Sequence, residues 1–123
     1  MTMNKLLSGR RFLVVEDEIL ILMMIEDMLA DLGCKSVSAV TKNEQAIALI
    51  EGQVFDAAML DMNLNGKSSL NLADALAARG VPFAYSTGNS VQDARDGFRN
   101  RPVLKKPFSH EQLTKALSSL LPP

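Results

Sequence analysis

The chain has a single cysteine, Cys34, so no intrachain disulfide can form. That suits a reducing compartment. Following Gly33 in a turn, the thiol reads as a small apolar filler rather than a reactive group. There is also one histidine, His110, which argues against zinc or another nitrogen-ligated metal. Long hydrophobic runs are missing. The longest, residues 19–25, lies between Glu18 and Glu26-Asp27, well short of the roughly 20 residues that span a bilayer. Acids also interrupt the stretch after Lys5, Arg10 and Arg11, where a signal peptide needs its apolar region. Neither sign of charge dominates: 13 basic residues against 14 acidic ones give a net charge of −1. The basic residues are scattered, so no nucleic-acid footprint is expected. Glycine-rich phosphate and dinucleotide loops are absent, as are repeats, low-complexity tracts and linkers. These absences predict one cytoplasmic domain over 1–123, with no membrane contact and no residues left for an output domain.

The residues present alternate between short apolar runs and helical stretches. Residues 12–15 are apolar and stop at an acidic cluster, as a buried strand would. A helix is predicted over 19–32, with Leu22, Ile25, Leu29 and Leu32 at helical spacing and Gly33 as its stop. Met23, Met24 and Met28 are expected to fill its core side. A second strand follows at 36–40. Thr41 and Glu44 form a capping-box pattern that opens a helix to about Glu51. A third strand at 57–60 leads into a polar, glycine-containing loop. The next helix, over 68–79, is closed by Gly80 and Pro82. A fourth strand at 83–86 precedes a weak helical pattern over 91–98. A fifth strand at 102–105 leads to a second capping-box pattern, Ser109 and Gln112. Leu113, Ala116, Leu117 and Leu120 then form an apolar stripe. Five such units predict an α/β fold, a doubly wound parallel sheet of five strands with helices on both faces. Ligands in such sheets bind at the carboxyl ends of the strands.

The strand ends carry complementary chemistry. The first ends in Glu16-Asp17-Glu18, the third in Asp61, the fourth in Ser86-Thr87-Gly88 and the fifth in Lys105-Lys106-Pro107. Converging carboxylates resist ionising together, and a divalent cation relieves that cost. Mg²⁺ prefers oxygen ligands and suits this set. An aspartate can also act as a nucleophile and form an aspartyl phosphate, a transfer that needs positioning and charge neutralisation. A lysine and a threonine hydroxyl can each meet one phosphoryl oxygen, and Gly88 leaves its amide open to approach. Only one of Lys105 and Lys106 can reach the site, because neighbours on a strand point to opposite faces. Singly, each group has a plainer reading as a turn residue, a helix cap or a solvated charge.

Together these segments resemble the response-regulator receiver family. The resemblance rests on Phe12-Leu13-Val14-Val15-Glu16-Asp17-Glu18, Leu60-Asp61-Met62-Asn63-Leu64, Ser86-Thr87-Gly88 and Lys106-Pro107-Phe108, and covers the whole chain. It implies a flavodoxin-like sheet of order 2-1-3-4-5. It also implies Asp61 as phosphoacceptor, Glu16 and Asp17 as the acidic pair, and the Asn63 carbonyl as a further metal ligand. Thr87 is then the switch hydroxyl and Lys106 the phosphate-binding lysine, before a cis bond to Pro107. Two features depart from the pattern. Asn65 stands where many receivers have proline. Val103 holds the usual place of a Tyr or Phe switch, so a swinging ring cannot operate there. Tyr85 is the nearest aromatic, though it reads more simply as strand core or surface. The segment Pro82-Phe83-Ala84-Tyr85-Ser86-Thr87-Gly88 partly matches a single-domain receiver subgroup, common in alphaproteobacteria, with a Phe-Ala-Thr-Gly-any-Tyr motif.

The implied function is a phosphorylation-controlled binding module, monomeric or weakly dimeric, and not an enzyme. A histidine kinase or histidine phosphotransfer protein loads it, and a downstream protein partner reads it, with Arg95, Phe98 and Arg99 as candidate contacts. Two alternatives are a small aspartyl-phosphate phosphohydrolase of the haloacid dehalogenase class and an unphosphorylated pseudo-receiver. The first expects its nucleophile on the first strand with a second Asp two residues on. Here Asp61 ends the third strand and Asn63 follows at that spacing. An intact Asp61, Thr87 and Lys106 argue against the second.

Overall fold

A computed structural model of the chain describes residues 7–64, 67–88 and 101–121. Strand β1 (Arg11–Val15) lies between β2 (Ser36–Val40) and β3 (Ala57–Asp61), parallel to both. Two paired strands of two residues each, β4 (Asn63–Leu64) and β5 (Lys67–Ser68), form a small antiparallel hairpin. Beyond it, β6 (Phe83–Thr87) pairs with β3, and β7 (Val103–Lys105) pairs with β6. The main sheet therefore runs β2-β1-β3-β6-β7, the predicted 2-1-3-4-5 order once the hairpin is set aside. The predicted loop after Asp61 is thus partly a hairpin, too short to leave a period-2 pattern.

Four helices are described: α1 (Ile19–Asp31), α2 (Asn43–Gly52), α3 (Leu70–Ala78) and α4 (His110–Leu120). Alternation along the central strands divides the interior in two. Phe12, Val14, Ala57 and Met59 pack with Leu22, Ile25 and Leu29 of α1 and Leu113 and Leu117 of α4. Leu13, Val15, Ala58 and Leu60 pack with Ala46 and Ile50 of α2 and Leu72, Ala73 and Leu76 of α3. This is the period-2 rule of a strand buried on both faces. Leu7 joins the first cluster, fully buried, with its amide donating to the Leu32 carbonyl at 2.9 Å.

Helix ends follow local chemistry. Gly33 and Gly80 adopt φ of 86° and 70°, which a residue with Cβ resists. After Gly33, Cys34 N–H reaches Leu29 O; after Gly80, Val81 N–H reaches Leu76 O. Both are the six-to-one bond of a Schellman motif. At the start of α4, Ser109 Oγ accepts from Gln112 N–H at 3.1 Å and Gln112 Oε1 accepts from Ser109 N–H at 2.8 Å.

The other expected capping box does not form. The N-cap of α2 is Lys42, with no side-chain cap, so Thr41 lies one residue too early. Helix α3 starts at Leu70 rather than 68, because Ser68 is taken by the hairpin and its Oγ accepts from Leu70 N–H at 3.1 Å. Met23 is not core: it is exposed beside Ile19 and Leu20, since Leu22, Ile25 and Leu29 occupy the inner face. Met28 packs at the edge of the core. Asn65 and the weak helical pattern over 91–98, with Arg95, Phe98 and Arg99, fall outside the described residues. No helix among the described residues is long and apolar enough to cross a membrane.

Candidate functional site

Sheet register brings the strand-end groups together. Val15 is level with Leu60, so Glu16 leaves β1 beside Asp61, the last residue of β3. Asp61 is level with Ser86, and Thr87 with Lys105. Lys106 therefore emerges one step beyond Thr87, and its N–H donates to the Thr87 carbonyl at 2.7 Å. The bond to Pro107 is cis. Lys105 is exposed, so Lys106 is the lysine that enters.

Its Nζ meets three carboxylates. Asp61 Oδ2 lies 3.1 Å away, Glu16 Oε1 and Oε2 both 3.3 Å, and Glu18 Oε1 2.9 Å. Glu16 is fully buried and Asp61 is 3 % exposed. Each is also held by main chain: Glu18 N–H donates to Glu16 Oε2 at 3.1 Å, and Asn63 N–H to Asp61 Oδ1 at 3.2 Å. Burial is the main force on both acids and raises their proton affinity. Glu16 is pushed up to about 7, chiefly by burial and further by the Asp61 charge. Asp61 moves up for the same first reason, although its bonds from Asn63 and Lys106 oppose the shift. Burial alone would lower the Lys106 ammonium, but Glu18, Asp61 and Glu16 outweigh it and hold the lysine charged.

Carboxylate oxygens of Glu16, Asp17, Glu18 and Asp61 lie within 4.8 Å of one another. An all-oxygen set with two buried acids fits a hard divalent cation such as Mg²⁺ and offers nothing to a soft metal. The predicted Glu16, Asp17 and Asp61 are therefore adjacent. Asn63 stands next to them at the start of β4. Thr87 is buried at the end of β6. Gly88 is exposed, and among the described residues beyond its chain neighbours no atom stands within 4 Å of where its Cβ would be. Packing among the described residues therefore does not by itself require a glycine there.

Sequence reasoning gave no role to Glu18. The available signal was the run of three acids at 16–18, but only the fold shows that the third also reaches Lys106. Tyr85 is a core residue: it is buried, level with Val103, and edge-on to Phe83 with ring centroids 5.4 Å apart. Burial pushes its hydroxyl up to about 12. Arg101 lies over the other aromatic, its guanidinium carbon 4.2 Å from the Phe83 ring centre.

A doubly wound sheet with its polar pocket between β1 and β3, where the strand order reverses, defines an α/β domain that binds its ligand at the topological switch point. Within that class, the chain belongs to the response regulator receiver domain family, which it matches over residues 12–118. It is a receiver domain of two-component systems. Receiver domains of this family work with histidine kinases or phosphotransfer proteins and with downstream effectors.

The chain is similar to SdrG from Sphingomonas melonis Fr1, with 43% identity and a TM-score of 0.81, covering 97% of this chain and 98% of that one. It is also similar to the receiver domain of the sensor histidine kinase PA1611 from Pseudomonas aeruginosa, with 29% identity and a TM-score of 0.79, covering 92% and 98%. That structure has a magnesium ion coordinated in its active-site cleft. Among curated proteins, the transcriptional regulatory protein PdtaR of Mycobacterium tuberculosis is 29% identical over 113 residues, 88% of this chain and 55% of that protein. The chain spans about half the length of the curated relatives it matches.

Proposed function

We propose that this chain accepts a phosphoryl group on Asp61 from a histidine kinase or histidine phosphotransfer protein and passes the signal to a downstream protein. The observation that carries this reading is the shared Lys106 ammonium, 3.1 Å from Asp61 and 3.3 Å from Glu16 inside the acidic pocket. In the transfer, an Asp61 carboxylate oxygen forms the bond to phosphorus while the donor's P–N bond breaks and the imidazole departs. Lys106 supplies positive charge to one phosphoryl oxygen, the Thr87 hydroxyl donates to a second, and the Gly88 amide donates to a third. Glu16, Asp17, Asp61 and the Asn63 carbonyl would hold Mg²⁺, which when bound would supply positive charge against the transferred group.

On this reading the domain works in the cytoplasm and turns over no external substrate. Its only hydrolysis is the loss of its own phosphoryl group. With Mg²⁺ and a small phosphodonor, the protein should gain one acid-stable, hydroxylamine-labile phosphoryl group, followed by intact-protein mass spectrometry. Asp61→Asn should abolish the gain, and a chelator should prevent it. Labelling that persists in the variant would move the acceptor elsewhere.

A further inference from the structure

We propose that Glu18 is a positioning residue that holds the Lys106 ammonium at the pocket mouth before phosphorylation, and that its charge slows loading by dianionic phosphodonors. The inference rests on the reading of Asp61 as acceptor. An ammonium has three donors, and Lys106 Nζ already faces three carboxylates, with Glu18 at the shortest distance, 2.9 Å. A phosphoryl group on Asp61 can engage this ammonium only if one partner gives way. Glu16 is buried and tied by the Glu18 amide, and Asp61 is the attachment point. The Glu18 side chain is 60% exposed, so water can solvate its oxygens once the lysine leaves, and an exposed ion pair is weakly held. The same exposure sets a negative charge on the solvent side of the acidic cluster, within 4.8 Å of the Asp61 carboxylate that an anionic donor must approach.

Glu18 is therefore the releasable partner, and the effect of its charge should scale with the charge of the donor. The test compares acetyl phosphate, a dianion near neutral pH, with phosphoramidate, a monoanion there, at saturating Mg²⁺. Glu18→Gln should load about three- to tenfold faster with acetyl phosphate and less than about twofold faster with phosphoramidate, the gap narrowing as salt is raised. Glu18→Asp, which keeps the charge, should restore the slower acetyl phosphate rate. An independent readout is the ammonium ¹⁵N signal of Lys106, which should weaken in Glu18→Gln as solvent exchange quickens. Equal changes with both donors, or slower loading with either, would overturn the proposal. If the unsubstituted protein takes no phosphoryl group at all, the reading of Asp61 fails instead. If it loads normally and donor charge makes no difference, only the role of Glu18 fails.

Discussion

Two buried acids around one ammonium leave the metal-free pocket short of positive charge. Glu16 goes from an ordinary value of 4.5 to about 7, and Asp61 shifts upward too. An acid whose folded value is raised binds its proton more tightly in the folded state. Its contribution to stability is complete below the unfolded value and is lost as pH rises through the folded one. In chelator, the melting temperature should thus fall between about pH 4.5 and about pH 7. Lys106 is raised as well, but its contribution is lost only on the far alkaline side and leaves this window alone. Asp61→Asn should melt a few degrees above the unsubstituted protein in chelator at pH 7, and the difference should shrink as the pH falls. Scanning calorimetry checks both, and a lower melting temperature for the variant at pH 7 would contradict the account. Mg²⁺ should stabilise more at pH 7 than at pH 5, because the ion offsets a charge that the acidic solution has already removed.

Among the elements, a helix end that the sequence spells out can be formed or unformed in the fold. The box at Ser109 and Gln112 is closed by both hydrogen bonds, and Ser109→Ala should cost about 1 kcal/mol. Thr41 sits before the Lys42 cap of α2, so Thr41→Ala should stay within about 0.5 kcal/mol. Gly80→Ala should cost about 1–2 kcal/mol, since a Cβ there meets a left-handed φ and, among the described residues, no atom within 4 Å to pack against. Urea midpoints of the three variants should rank in that sense. Both glycine stops, the strands and the α4 stripe were legible because each depends on residues a few positions apart. The α2 cap was misplaced by one because the helix is capped at Lys42 without any side-chain bond, which leaves no capping signal in the sequence. The β4–β5 hairpin was invisible because two-residue strands carry no periodicity.

For the molecule as a whole, register is what assembles the pocket. Acids and lysine at strand ends could be read from sequence, because a parallel sheet aligns its carboxyl edges. The Glu18–Lys106 pair could not, since 88 positions separate the two and no local rule links them. The same sheet joins both halves of the interior, with Leu72 on one side and Leu117 on the other. Leu72→Ala and Leu117→Ala should each cost about 2–5 kcal/mol, and unfolding should remain one transition. Fluorescence of Tyr85, the sole tyrosine in a chain without tryptophan, reports the α2–α3 side, and far-UV dichroism reports the helices; divergent midpoints would show the halves parting. At the sheet end away from the acids, Leu7 plugs the floor of the α1–α4 side and hangs on the Leu32 carbonyl. A trimmed version starting at Arg10 would lack that cork: water would gain a way in under α1, and damage would begin at the foot of the domain while its charged crown still stood.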